Sequence, residues 1–515
     1  MDYKQVVNIL RESSDMVSKL GDVRLSDNSK LSSSLDIDGI QFWDAIAVEL
    51  ALYHLPKVLY PTKMNWLFAR KALSMFRTAV SGMSRRVLLR RALSDHKNWP
   101  KQPILFLGFS DYIYRDVLKS VVEKMKTRSD VRICAIHSDR GCKKSDGRMS
   151  IWKYLDDDIK LRADAVRRQL YSIEKLLSVD DVSRTLTFTQ YGHLAKQIYE
   201  LLRRLLEDRL PVLIEEALIA KNIVVDLRPQ LIISPDVADF RTRVYSLVGR
   251  RYGISSLNVQ FGIYGDEAVE WRFFLADRVA VWGKESMQVL ATHGVPYERM
   301  SITGSPRHDG LLRSSASEIQ KTRTRLGIQK DQTMVMFASV HRGNYNETQD
   351  RDICNSLEKS IFKAASQTLG MCLVVKPHPL LSLGKIRNLA NGCKNIVFAD
   401  SKEDIRDLIT ASDAVVMLGS TATFDSLIAN KLTICPAFAG WTWNTIYENT
   451  GAVLVPRNED DLLKVFKVAC SKERRDILND LAPARQDFLE KHIYKSDGQA
   501  ATRIESIALE MMEDR

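Results

Sequence analysis

The sequence predicts an α/β protein with two tandem Rossmann-like parallel-sheet domains behind a helical N-terminal region. Three observations predict it. Short apolar runs alternate with helical stretches from about residue 103 into the last quarter of the chain. Each run ends in Gly, Ser, Pro or Asp, as strand C-termini that feed functional loops do. The chain has 515 residues, too many for one core, so two or three domains are expected.

Residues 1–100 read as helical, without strand alternation. Inside them, 66–91 carries Arg70, Lys71, Arg77, Arg85, Arg86, Arg90 and Arg91 among apolar residues at nearly helical spacing. Such a stretch suits an anionic membrane surface. The competing reading, a helix pair packed on the next domain with solvated basic residues, is the commoner fate of basic helices. At Pro103 the texture changes. PILFLGFSDYIYRDVLKSVVEKM reads as strand, turn and helix, and VRICAIHS as a second strand. They open a first sheet domain over 101–312, with a charged helical insertion at about 150–225. Its later strands are PQLIIS, SLNVQFG, RVAVWG and MSITGSP. A second series over 313–480 runs TMVMFASV, MCLVVKPHP, NIVFAD, AVVMLGS, LTICP and AVLVP, with helices between, and 481–515 reads as a C-terminal helix.

Composition narrows the function. With 45% hydrophobic and 27% charged residues the chain is neither disordered nor collagen-like. No apolar run reaches the roughly 18–20 residues that span a bilayer. The N-terminus MDYKQVVNILRESSD carries acids and no apolar core, so no cleaved export signal is expected. Seven cysteines, an odd number, suit reduced thiols. A cytoplasmic location follows, peripheral at the inner face of the cell membrane if 66–91 docks there. The net charge of +11 suits phosphate-bearing partners. No nucleic-acid module accompanies it, so nucleic acid is not an expected partner.

The candidate chemistry sits at strand ends. Lys376-Pro377-His378-Pro379 follows MCLVV, and its prolines stiffen a loop that presents a lysine and a histidine to a phosphate. Leu418-Gly419-Ser420-Thr421-Ala422-Thr423 follows AVVM and opens a helix whose free N–H groups form an anion site, with a plain N-cap as the alternative. His341-Arg342 follows the first strand of the second domain, where Arg342 would clamp a phosphate and His341 would touch the leaving group. In the first domain Asp111 ends the opening strand, and Asp236 with Asp239 follows LIIS. A carboxylate there is a candidate general base, or an N-cap. Gln260-Phe261-Gly262 forms another strand-end loop, and Gly304 to Asp309 marks the domain junction.

Other signals fail. Cys134, His137 and Cys142 lack a second pair at zinc spacing, and the Asp156 to Asp158 and Asp350 to Asp352 runs read as exposed helix faces, so no metal site is expected. There is no GxxxxGK[ST] loop, no GxGxxG after a strand and no GxSxG elbow, which disfavours P-loop, dehydrogenase and hydrolase readings.

From about residue 231 to 503 the succession IISPDVADFRTRVYSLVGRRYGISSLNVQFG, ADRVAVWG, ITGSPRHDGLL, VVKPHP and SDAVVMLGSTATFDSLIANK resembles the GT-B glycosyltransferases of bacterial surface polysaccharide synthesis. It is similar to the capsule-type Kdo and sialic acid transferases and to the CDP-glycerol glycerophosphotransferases. The resemblance implies a nucleotide-sugar donor and a polysaccharide or glycolipid acceptor, with no metal or other cofactor. The donor phosphates would lie on Lys376, His378, Arg342, Ser420 and Thr421. Asp425, where relatives often carry Glu for the ribose, would face the nucleoside, and Asp111 or Asp236 would deprotonate the acceptor. Relatives often have Gln-His-Gly where this chain has Gln260-Phe261-Gly262. The alternatives are glycerophosphotransfer from CDP-glycerol, a UDP-N-acetylglucosamine 2-epimerase-like enzyme lacking the usual acids after a double glycine, and a non-catalytic nucleotide or polyanion scaffold.

Overall fold

The computed structural model describes residues 3–61, 99–138, 147–311, 315–340, 349–378, 381, 383–400, 403–440 and 445–513. The chain divides into two compact units, Met1–Arg307 with Ala500–Arg515, and His308–Gln499.

The first unit opens with helices and a small antiparallel pair, β1 (Asp36–Ile37) and β2 (Ile40–Gln41). Its main sheet holds β3 (Ile104–Leu107), β4 (Ile133–His137), β5 (Met149–Ser150), β6 (Leu231–Ser234), β7 (Ser255–Val259), β8 (Arg278–Val281) and β9 (Met300–Ile302). The order is β5-β4-β3-β6-β7-β8-β9 and every pairing is parallel. The ILFL run of β3 is central because all four residues bury, as a parallel strand covered on both faces requires. Leu105 pairs with Cys134 on one side and Ile232 on the other. The chain leaves β3 for β4 and β5, then crosses to β6, so β3 and β6 flank the switch point where such sheets take ligands.

The expected insertion is helical: Asp157–Leu176, Val179–Leu186, Ala195–Arg204 and Leu210–Leu227. Its helices start on sequence-legible caps, including the Asp156 carboxylate on Ile159 N–H and a Ser178–Asp181 capping box. The helix Phe240–Arg251 lies tight on β6, since a Cβ at Gly249 would meet Ile232 Cδ1 at 2.7 Å.

Two expected boundaries move. The N-terminal helices are no separate extension: Met16, Leu20, Trp43 and Leu50 share one core with Leu105, Leu107 and Phe109 of the sheet. The tail is two helices, Ala482–Ile493 in the second unit and Ala500–Glu513 in the first. The second of these buries Ile504, Ala508 and Met511 against Ile104 and Phe106, covering the sheet face opposite the N-terminal core. The basic stretch 66–91 lies outside the described residues.

The second unit has β10 (Thr333–Ala338), β11 (Met371–Lys376), β12 (Ile396–Phe398), β13 (Ala414–Val416) and β14 (Leu432–Ile434) in the parallel order β12-β11-β10-β13-β14. Here the switch point falls between β10 and β13. The AVLVP run makes only one bridge, Leu454 to Ile434, instead of a sixth strand. Among the described residues no helix is long and apolar enough to cross a membrane.

Candidate functional site

In the second unit the loops after β10, β11 and β13 converge at one edge of the sheet. Ser339, just past β10, is buried, and its hydroxyl accepts the His378 N–H at 2.9 Å. That bond fixes the stiff Pro377 loop beside the switch point and leaves the His378 ring half-exposed. Lys376 goes the other way. Its ammonium donates to the Asp400 carbonyl at 3.0 Å, past β12, and burial pushes its pKa below the ordinary lysine value despite the nearby acids Glu403, Asp400 and Asp404. In this conformation Lys376 joins two strand ends and does not present its charge to a phosphate.

Gly419, at φ 74°, makes the turn after β13 that a side chain would strain. The expected open helix N-terminus is corrected here. Ser420 Oγ accepts the Ala422 N–H at 3.2 Å, and the Ser420 and Thr421 carbonyls take the Thr423 and Phe424 amides. The loop's own oxygens therefore occupy the first amides of the short helix Ala422–Ile428. What remains for an anion is the pair of half-exposed residues Ser420 and Thr421. Asp425, expected at the nucleoside, has no exposed surface, and its carboxylate lies 3.3 Å from His308 Nε2. The apolar side of the helix explains that burial, with Phe424 stacked on Phe488 at 5.5 Å. His341 and Arg342 lie outside the described residues.

The first unit's strand ends are charged and mutually paired. After β3, the Asp111 carboxylate is bound by Arg148 and Arg115. Arg148 is buried, donates to the Gly108 carbonyl at 2.9 Å and lies 4.4 Å over the Tyr114 ring. After β6, Asp236 Oδ1 accepts the Ala238 N–H at 2.8 Å, closing a local turn. Asp239 caps the next helix and grips Arg241 at two points, Nε at 2.9 Å and Nη2 at 2.5 Å. Burial raises the Asp239 carboxyl, but the charge and hydrogen bonds of Arg241 outweigh that and hold it below the usual range. Arg241 also donates to Ser138 Oγ past β4 and lies 4.8 Å over the Phe109 ring. Gln260 is structural: its amide holds the Gly262 carbonyl, Ser286 Oγ and the Trp282 N–H. Phe261, in the place of the relatives' histidine, packs on Tyr264.

Sequence reasoning missed the partners: Ser339, Arg148, Arg241 and the buried Glu216. Two of them carried a signal. Arg241 sits two residues after Asp239, and Glu216 belongs to an acid pair inside the apolar LPVLIEEALIA run. Among the described residues no group of three or more His, Cys, Asp or Glu is arranged to hold a metal ion.

Residues 284–509 match the family model described as CDP-Glycerol:Poly(glycerophosphate) glycerophosphotransferase. No curated protein matches the chain. Among solved structures it is similar to a UDP-N-acetylglucosamine 2-epimerase, at 10% identity and TM-score 0.51, over 81% of this chain and 98% of that one. Two others are the UDP-GlcNAc 2-epimerase from Neisseria meningitidis bound to UDP-GlcNAc (13%, TM-score 0.49, 79% and 99%) and the wall teichoic acid polymerase TagF (13%, TM-score 0.49, 86% and 97%). The first likeness is one of fold, the two-sheet GT-B architecture. The family match over 284–509 agrees with the resemblance to surface-polymer transferases that the sequence motifs carry.

Proposed function

We propose that the chain transfers a phosphoryl-linked unit of the glycerol phosphate type from a CDP-activated donor to a hydroxyl of a surface polymer, without a metal or other cofactor. The family match over 284–509 carries this reading and favours phosphoryl over glycosyl transfer. The convergence of Ser339, His378, Ser420 and Thr421 at the second unit's switch point supports the nucleotide being held there. In the reaction the acceptor oxygen bonds to the donor's distal phosphorus. The bond from that phosphorus to the bridging oxygen breaks, and CMP leaves with the electron pair. His378, the two hydroxyls and Arg342 stabilise the charge that gathers on the phosphates, with His341 at the leaving group. The acceptor proton passes to a carboxylate of the first unit. Asp111, held by two guanidiniums, and Asp236, which accepts the Ala238 N–H, are the two candidates. Lys376 sets the loop, and Asp425 acts through His308 and not on the nucleoside. The basic stretch 66–91 serves attachment to an anionic membrane at the cytoplasmic face.

Thermal-shift screening against CMP, CDP, UDP and GDP in EDTA tests the donor, since a ligand at about 100 times its Kd adds roughly 2.7 kcal/mol. Stabilisation by the cytidine nucleotides, with CMP released from CDP-glycerol on adding polymer, is the expected result. A cooperative melt that no nucleotide shifts would remove the reading.

A further inference from the structure

The turn after β6 carries Asp236 and Asp239, and one buried side chain holds it from behind. Arg243 stands in the first turn of the helix Phe240–Arg251 and is buried. Its guanidinium gives four hydrogen bonds to backbone carbonyls of three segments. Nη1 reaches the Val237 carbonyl at 3.2 Å, inside the turn itself. The same nitrogen reaches the Phe273 carbonyl at 2.8 Å, in the short helix Val269–Phe273. Nε and Nη2 reach the Asp44 carbonyl at 3.0 and 2.6 Å, on the N-terminal helix Phe42–Glu49. Burial lowers the guanidinium pKa to about 10, with the Asp44 carboxyl opposing, so the group stays cationic at neutral pH. Hydrogen bonds from a cation are the strong kind, and these are spent on backbone.

Packing repeats the pattern. Val237 is buried with Tyr264, Trp271 and Val279, and Ala238 packs on Leu10, Val48, Leu52 and Tyr53, four of them residues of the N-terminal helices and three of them beside the sheet. Asp236 Oδ1 takes the Ala238 N–H at 2.8 Å, so the direction of that carboxylate follows from where Val237 and Ala238 are held. A planar fork bonds carbonyls in several fixed directions at once, which a single ammonium on a flexible stem does not. We propose that Arg243 is a positioning residue: it fixes the turn that aims Asp236 and ties the N-terminal helices to the first unit's strand ends. The hold on the turn stands on this geometry. Its consequence for transfer rests on the reading proposed above, with Asp236 as the base.

Hydrogen exchange read by mass spectrometry on the full-length protein, beside steady-state transfer from CDP-glycerol to a glycerol phosphate polymer, tests this. Arg243→Lys keeps the charge and loses the fork. We expect it to speed exchange over 236–240 at least roughly tenfold, with β6 and the loops after β11 and β13 unchanged. Its kcat should fall roughly tenfold or more while KM for CDP-glycerol stays within about twofold, because a misplaced base costs rate and not donor binding. Asp236→Asn, which still accepts the Ala238 N–H, should lower kcat and leave exchange over 236–240 as in the parent. Tyr245→Phe, on the same helix, removes a buried hydroxyl that has no hydrogen-bond partner within the protein, and should change neither readout. Unchanged exchange over 236–240 in Arg243→Lys would overturn the proposal, and so would faster exchange across the whole first unit, the mark of general loosening. A loosened turn with kcat intact would overturn it too, and would leave Asp111 as the base. A parent that transfers nothing from CDP-glycerol removes the transferase reading alone, and the exchange result then decides the hold on the turn by itself.

Discussion

The two sheets share a topology and differ in what stands at their strand ends. In the first unit the switch point is ringed by ion pairs: Asp111 between Arg148 and Arg115, Asp239 with Arg241, and Glu49 with Arg209 below. In the second it is lined by a hydroxyl under a stiff loop, a histidine ring and a glycine turn, while the charged Lys376 and Asp425 face Asp400 and His308. One site has its charges balanced within the protein. The other presents neutral hydroxyls and an imidazole at its strand ends. The contrast is one of paired charges against neutral polar groups.

Substitutions should therefore act differently in the two units. The largest stability effect is expected from Arg209→Met, which strands the buried Glu49 with only His54 at 3.2 Å and should cost about 4 kcal/mol in chemical denaturation. Replacing both Arg209 and Glu49 by leucine should recover much of that. If the single variant is as stable as the parent, the first unit's pairs do not bear on its stability.

Next is the pH dependence set by Glu216. Its carboxyl titrates near 4.5 when unfolded and about 7 when folded, so the native state holds the extra proton between those values. Stability is full below about 4.5 and falls by about 3 kcal/mol as pH rises through 7. Glu216→Gln should flatten that slope in melts run across the range, and an unchanged slope would place the ionisation elsewhere. A smaller loss, about 2 kcal/mol, is expected for Asp111→Asn, which removes the carboxylate facing the buried Arg148 guanidinium. Ser420→Ala closes the series, costing under about 1 kcal/mol of stability while weakening nucleotide binding roughly tenfold by titration calorimetry. An equal loss of stability in Asp111→Asn and Ser420→Ala would erase the contrast between the units.

The sequence made the fold legible because a buried parallel strand writes itself as an apolar run closed by a turn residue. ILFL, LIIS and MCLVV became β3, β6 and β11 on that signal. It also located the loops, since strand ends follow from strands. It did not give the direction of a side chain within a loop. Lys376 and His378 are two residues apart, yet one turns to β12 and the other is fixed against β10, a choice made by Asp400 and Ser339 from distant parts of the chain. The position of Asp425 suggests a ligand contact, whereas the aromatic stack of Phe424 and Phe488 buries its helix. The return of Ala500–Glu513 to the first unit was equally hidden, because an amphipathic helix states which face it buries and not where.

The central claim, that the donor nucleotide belongs to the second unit, meets its most direct test in calorimetric titration of CDP in EDTA. The variants to compare are His378→Ala and Ser420→Ala with Asp111→Asn and Tyr245→Phe. The account predicts that His378→Ala and Ser420→Ala weaken CDP binding at least roughly tenfold, and that the first-unit pair leaves it within about twofold of the parent. Weakening by Asp111→Asn or Tyr245→Phe with His378→Ala and Ser420→Ala unaffected would contradict it.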